Sequence, residues 1–124
     1  MPIYYFTGRY IVKPGDTLYS IARTSNPFGG FPVSSVLILN PQLKPPYIIY
    51  PGQQIFRPWG GPYTNRIVKA GDTLYSIIRD FNRLLEIEGN IERITLNEVL
   101  AINPRITNPN ILYPGMSIVF PDIG

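Results

Sequence analysis

The segment IVKPGDTLYSIAR, residues 11–23, returns as IVKAGDTLYSIIR at residues 67–79, with changes only at Pro14/Ala70 and Ala22/Ile78. A second pair of blocks repeats downstream: VLILNPQLKPPYIIYPGQQIFRP, residues 36–58, and VLAINPRITNPNILYPGMSIVFP, residues 99–121. The first pair is offset by 56 residues and the second by 63, so the second copy carries seven extra residues between its blocks. Such a duplication predicts two small modules of like fold. The sequence divides into a lead, 1–8, a first module, 9–58, a joint, 59–65, and a second module, 66–121.

Both units are punctuated in the same way. RYIVKPGD, residues 9–16, is a β-branched and aromatic run stopped by Pro14-Gly15, which predicts a strand and then a turn. Asp16 stands where an N-cap belongs, ahead of Leu18, Ile21 and Ala22 at helical spacing. In the second unit the apolar stripe runs on through Leu74, Ile77, Ile78, Phe81, Leu84 and Leu85. That pattern predicts a longer first helix, ended by Gly89-Asn90. A second helix starts at TLNEV, where Thr95 and Glu98 have the spacing of a capping box. It stops at Asn103-Pro104, as its counterpart stops at Asn40-Pro41, because a residue before proline disfavours helix. Tyr-Pro-Gly then turns the chain into a last strand. The order strand, helix, helix, strand predicts an α+β fold of two tandem βααβ modules, each a two-stranded antiparallel sheet with two helices on one face. The joint WGGPYTN is short and stiffened by Pro62, with Trp59 and Tyr63 placed to pack between the modules.

Composition removes much chemistry. The chain has no Cys and no His, so it lacks thiolates, imidazole bases and the commonest metal ligands. No metal site and no cofactor is expected. Glycan hydrolysis generally needs a pair of carboxylates, yet Asp16 is the sole acid of the first module. Besides Asp72, the counterpart of Asp16, the acids of the second, Asp80, Glu86, Glu88, Glu92 and Glu98, lie largely where a solvated helix face is expected. Catalytic residues are therefore not expected, and the chain reads as a non-enzyme. No signal peptide is visible at the N-terminus, and no apolar run is long enough to insert in a membrane. The net charge is +3, but the first module holds five basic residues against one acid and the second holds six of each. That imbalance suits acidic wall polymers, whereas no basic run points to nucleic acid.

Val-x-x-Gly-Asp-Thr-Leu-Tyr-Ser-Ile followed by Asn-Pro, Tyr-Pro-Gly and Ile-x-x-Pro, twice over, closely resembles the LysM (lysin motif) family of βααβ carbohydrate-binding modules. The resemblance implies recognition of N-acetylglucosamine polymers, peptidoglycan or chitin, in a shallow groove between two loops. Carried over, the first module's groove comprises Gly15, Asp16, Thr17, Leu18, Asn40, Pro41, Leu43, Ile48 and Ile49. The second module's comprises Gly71, Asp72, Thr73, Leu74, Asn103, Pro104, Ile106, Asn110, Ile111 and Leu112.

Structural roles compete for these positions. Asp16 and Thr17 serve as turn and cap as well as groove, and Leu18 and Leu74 suit the core. Asn40 and Asn103 suit loop-stabilising bonds to backbone. Ile48, Ile49, Ile111 and Leu112 suit either core or groove wall, while Tyr50 and Tyr113 suit packing. The expected role is non-catalytic anchoring at a cell wall or spore surface. The alternative is a structural protein of a cell-envelope or spore-coat layer, whose modules contact other envelope or coat proteins.

Overall fold

The structure, a computed structural model, describes residues 6–24, 30–90 and 92–122. Residues 1–5 of the lead and 25–29 of the first inter-helix segment lie outside the described residues. The element order is β1 (Thr7–Ile11), α1 (Leu18–Arg23), α2 (Val33–Leu39), β2 (Gln54–Pro58), β3 (Tyr63–Ile67), α3 (Leu74–Ile87), α4 (Leu96–Ile102) and β4 (Ser117–Pro121). β1 pairs antiparallel with β2 from Thr7↔Pro58 to Ile11↔Gln54, and β3 with β4 from Tyr63↔Pro121 to Ile67↔Ser117. Each module is thus the predicted βααβ unit. Strand β1 begins at Thr7, within the lead, and β3 begins at Tyr63, within the joint.

The helices start on different residues from those expected. Thr17, not Asp16, is the N-cap of α1, and Thr73 is that of α3. Each threonine hydroxyl accepts from the serine three residues on, at 3.0 Å, and that serine's hydroxyl accepts from the threonine N–H at 3.0 Å. This is a capping box closed by serine, satisfying two N–H groups that the helix leaves orphaned. Thr95 and Glu98 close the third box, as predicted. Helix α3 ends at Ile87, with Gly89 at φ 87° providing the left-handed step out of the helix.

Two separate cores result. Val12, Ile21, Ala22, Val36, Leu43 and Ile55 fill the first. Val68, Leu74, Ile77, Ile78, Leu85, Ile94, Val99, Ile118 and Phe120 fill the second. Leu84, placed by periodicity on the buried stripe of α3, is instead exposed.

The modules are joined by more than the seven-residue segment between them. Phe6 precedes the first module's opening strand, yet it is 1% exposed within the second module's core. Its ring meets Trp59 edge-on at 5.9 Å and Phe81 at 6.1 Å. The Thr7 hydroxyl donates to Glu98 at 2.5 Å, and α2 packs against α4. Glu98 is therefore no solvated acid: it is buried, and its other oxygen accepts from the Thr95 N–H at 2.9 Å. Trp59 donates from its indole to the Pro62 carbonyl at 2.8 Å, tightening the joint.

Candidate functional site

The loop between β1 and α1 is a tight turn. The Asp16 N–H donates to the Lys13 carbonyl at 3.0 Å, and Gly15 sits third in the turn with φ 89°. Lys69 to Asp72 repeat it, with Gly71 at φ 87°. A positive φ at this position makes glycine the residue of choice. A β-carbon there would meet nothing within 4 Å, so the turn's outer side is open.

The carboxylate that follows is spent on the turn in both modules. Asp16 accepts from the Lys13 N–H at 2.7 Å and from the Tyr10 hydroxyl at 2.5 Å. The tyrosine bond, then the backbone bond, holds its carboxyl below the ordinary carboxylate value. The same contact raises the Tyr10 phenol. Asp72 accepts from the Lys69 N–H at 2.8 Å, and Arg66, which occupies the position of Tyr10, lies 3.8 Å from it. Different side chains in the two copies thus brace the same acid.

The second loop is held beside the first by strand pairing that continues past the sheet. The Val12 N–H donates to the Gln53 carbonyl at 2.9 Å, and the Gly52 N–H donates to the Val12 carbonyl at 2.8 Å. Val68 makes the matching pair with Met116 and Gly115, both at 2.8 Å. Leu18 and Ile49 pack on the first core, and Ile106 and Leu112 on the second. Ile48 and Ile111 instead stand 57% and 48% exposed. Within these loops the backbone N–H groups of Gly15, Leu18, Gly71, Ile48 and Leu112 carry no hydrogen bond among the described residues. Open apolar surface beside unspent donors can hold a neutral ligand with an apolar face and carbonyl groups.

Not every expected residue reaches this surface. Asn40 is fully buried: its amide nitrogen donates to the Val36 and Phe56 carbonyls at 2.6 and 2.8 Å, and its oxygen accepts from the Phe56 N–H at 2.9 Å. Asn103 makes the same three bonds to Val99 and Val119, each at 2.8 Å. Both tie a helix end to a strand, and neither offers a free group to a ligand. Leu43 and Leu74 are likewise core residues. Pro41, Pro104 and Asn110 are exposed. Tyr50 and Tyr113, read as packing residues, are 64% and 66% exposed at the end of the second loop, and so available as stacking platforms. No local sequence signal marks them, because their exposure is set by how the second loop docks against its sheet.

Two βααβ units, each with a glycine turn and a second loop that exposes an isoleucine and a tyrosine, define a protein of two tandem modules. The family model described as LysM domain matches residues 10–58 and 67–121, and the chain belongs to that family. LysM is a binding rather than a catalytic domain, and its members bind N-acetylglucosamine-containing glycans such as peptidoglycan. The chain is 37% identical over 112 residues to an endolysin of Bacillus phage PZA, covering 90% of this chain and 37% of the endolysin. It is 31% identical over 115 residues to an endolysin of Bacillus phage B103, covering 90% of this chain and 38% of that protein. The chain thus spans well under half the length of these relatives. Among solved structures it matches the Bacillus cereus spore cortex-lytic enzyme SleL at 23% identity and a TM-score of 0.37, over 93% of this chain and 23% of that one.

Proposed function

We propose that the chain attaches, without catalysis, to N-acetylglucosamine-containing wall glycan, peptidoglycan in preference to chitin, through one shallow groove on each module. One observation carries this reading: in both modules an exposed isoleucine, Ile48 or Ile111, stands in a loop with a backbone N–H, that of Ile48 or Leu112, that makes no hydrogen bond among the described residues. The acetamido methyl and sugar ring would lie on the isoleucine and the adjacent tyrosine, Tyr50 or Tyr113. The acetamido carbonyl would accept from the turn between β1 and α1. Gly15, Thr17, Pro41 and Ile49 belong to the first groove on this reading, and Gly71, Thr73, Pro104, Ile106, Asn110 and Leu112 to the second. Asp16 and Asp72 shape the turn. The endolysin names of the phage relatives favour peptidoglycan and a cell-wall location.

The grooves are displayed by one packed body rather than by two tethered beads, so gain from binding twice depends on whether a single polymer fits their fixed spacing. The test is co-sedimentation of the intact chain with purified peptidoglycan and with chitin. Ile48→Asp and Ile111→Asp replace exposed side chains, so folding is preserved while a charge enters each apolar patch. The double variant should lose retention by roughly tenfold or more. Retention unchanged in the double variant would place binding elsewhere. A protein-contact reading has its own observation, the exposed Leu84 and Ile87 on α3. Under it, Leu84→Ser with Ile87→Ser abolishes co-precipitation of envelope proteins and leaves sedimentation with glycan unaltered.

A further inference from the structure

The seven residues by which the second module exceeds the first lengthen α3, and the lengthened helix builds a groove absent from any account of the sugar-binding loops. Helix α1 has 6 residues and α3 has 14. Tyr75, Ile78, Arg79, Asn82, Arg83 and Glu86, all on α3, face Arg93 across an open concavity of about 380 Å³. The two walls are fastened to each other. The Asn82 amide donates to the Ile94 carbonyl at 3.1 Å and accepts from the Ile94 N–H at 2.8 Å, which fixes the segment bearing Arg93 against the helix. Glu86 holds the Arg93 guanidinium at 3.4 Å, and Arg79 is 3.8 Å from Asp80. Arg83 has no hydrogen-bond or ionic partner among the described residues.

The charge is concentrated here. The second module as a whole has six basic and six acidic residues, yet this groove is lined by three arginines against one glutamate. A guanidinium presents its donors in a planar fork matched to an oxyanion. One carboxylate, Glu86, lies among the cations and would repel a polymer of phosphates while accepting from an amine or amide N–H. Ile78 and Tyr75 add an apolar wall. Three cations, one acceptor and an apolar side suit a short peptide carrying carboxylates together with N–H groups.

We propose that the groove along α3 binds a carboxylate-bearing peptide attached to the glycan, so that the second module reads the peptide substituent as well as the sugar. Arg83 and Arg93 clasp the carboxylate, and Glu86 accepts from a nitrogen of the same peptide. This rests on the reading of the loops as a glycan site, and it would give the chain a preference for peptidoglycan over unsubstituted N-acetylglucosamine polymers.

The test is calorimetric titration of the intact chain with a peptide-bearing disaccharide unit of peptidoglycan, with the same disaccharide stripped of its peptide, and with an oligomer of glycerol phosphate. The wild-type chain should bind the peptide-bearing ligand about five- to tenfold more tightly than the stripped one, the scale of charge-assisted hydrogen bonds at an exposed site. Arg83→Gln with Arg93→Gln should abolish that difference and leave the stripped disaccharide's affinity unaltered. Both substitutions fall on exposed side chains, and unchanged circular dichroism would confirm that the fold is retained. Equal binding of the two disaccharides by the wild type would overturn the groove's assignment while leaving the glycan reading intact. Binding of neither would overturn both. A titratable, arginine-dependent interaction with glycerol phosphate that displaces the peptide-bearing ligand would make this a phosphate site and overturn the peptide assignment.

Discussion

Replacing Phe6 by alanine should destabilise the module that Phe6 does not belong to in sequence. Its ring is 1% exposed and fills the second core between Trp59 and Phe81, while its backbone leads into the first module's sheet. Truncating a buried phenylalanine costs about 3–5 kcal/mol, the lost transfer energy plus the cavity left behind. Modules of this size bury little apolar surface and are marginal alone, so that loss is a large part of the total. It corresponds to a fall in melting temperature of roughly 10–20 °C. Phe6→Leu keeps most of the volume and should cost about 1.5 kcal/mol or less. The assay is thermal melting followed by circular dichroism, paired with amide hydrogen exchange. Protection should fall at Val68 and Ile118, in the second module, as well as in β1. A melting temperature for Phe6→Ala within about 2 °C of wild type, or loss of protection confined to β1 and β2, would refute the reasoning that the lead pins the modules together.

Asn103→Ala should cost about 2–4 kcal/mol, because it strands buried backbone groups of Val99 and Val119. A urea midpoint within error of wild type would contradict the bridging role. The pH dependence of stability should carry the signature of Asp16, whose folded value is depressed, first by Tyr10. A depressed carboxyl contributes fully above its unfolded value, near 4, and the contribution is lost as pH falls through the folded value. Tyr10→Phe should therefore flatten the acid limb of a melting-temperature profile below about pH 4; an unaltered slope would show that the hydroxyl bond contributes nothing. Tyr63, pushed up to about 12 by burial, acts in the opposite range. Its stabilisation is complete below its ordinary value near 10 and is lost as pH rises through about 12. Tyr63→Phe should make stability less sensitive to alkali, and persistence of the wild-type alkaline slope would contradict this.

The order of elements was readable because each rests on local chemistry. Pro14-Gly15 and Ala70-Gly71 end a strand, Asn40-Pro41 and Asn103-Pro104 end a helix, and the apolar stripe of α3 shows its greater length. The cap was misread by one residue because Asp and Thr, both good N-caps, are adjacent, and the box is closed by serine rather than glutamate. Features that depend on the second module meeting the first left no periodic trace. Phe6 lies outside the repeat, Glu98 is buried where it accepts from Thr7 of the other module, and Leu84 is exposed although its spacing fits the core. At the groove, the glycine turns were legible as backbone requirements. The burial of Asn40 and Asn103 and the exposure of Tyr50 and Tyr113 depend on how the second loop docks against its sheet.

Chemical-shift mapping of the intact, isotopically labelled chain with an N-acetylglucosamine oligomer probes the paired-loop site most directly. The expected result is a set of concentration-dependent shifts at the amides of Gly15 to Leu18 and Ile48 to Tyr50, and at Gly71 to Leu74 and Ile111 to Tyr113. Amides of the inter-module contact at α2 and α4 should stay fixed. Saturating oligomer that leaves all four stretches unmoved, or that moves only residues away from them, would contradict the glycan grooves.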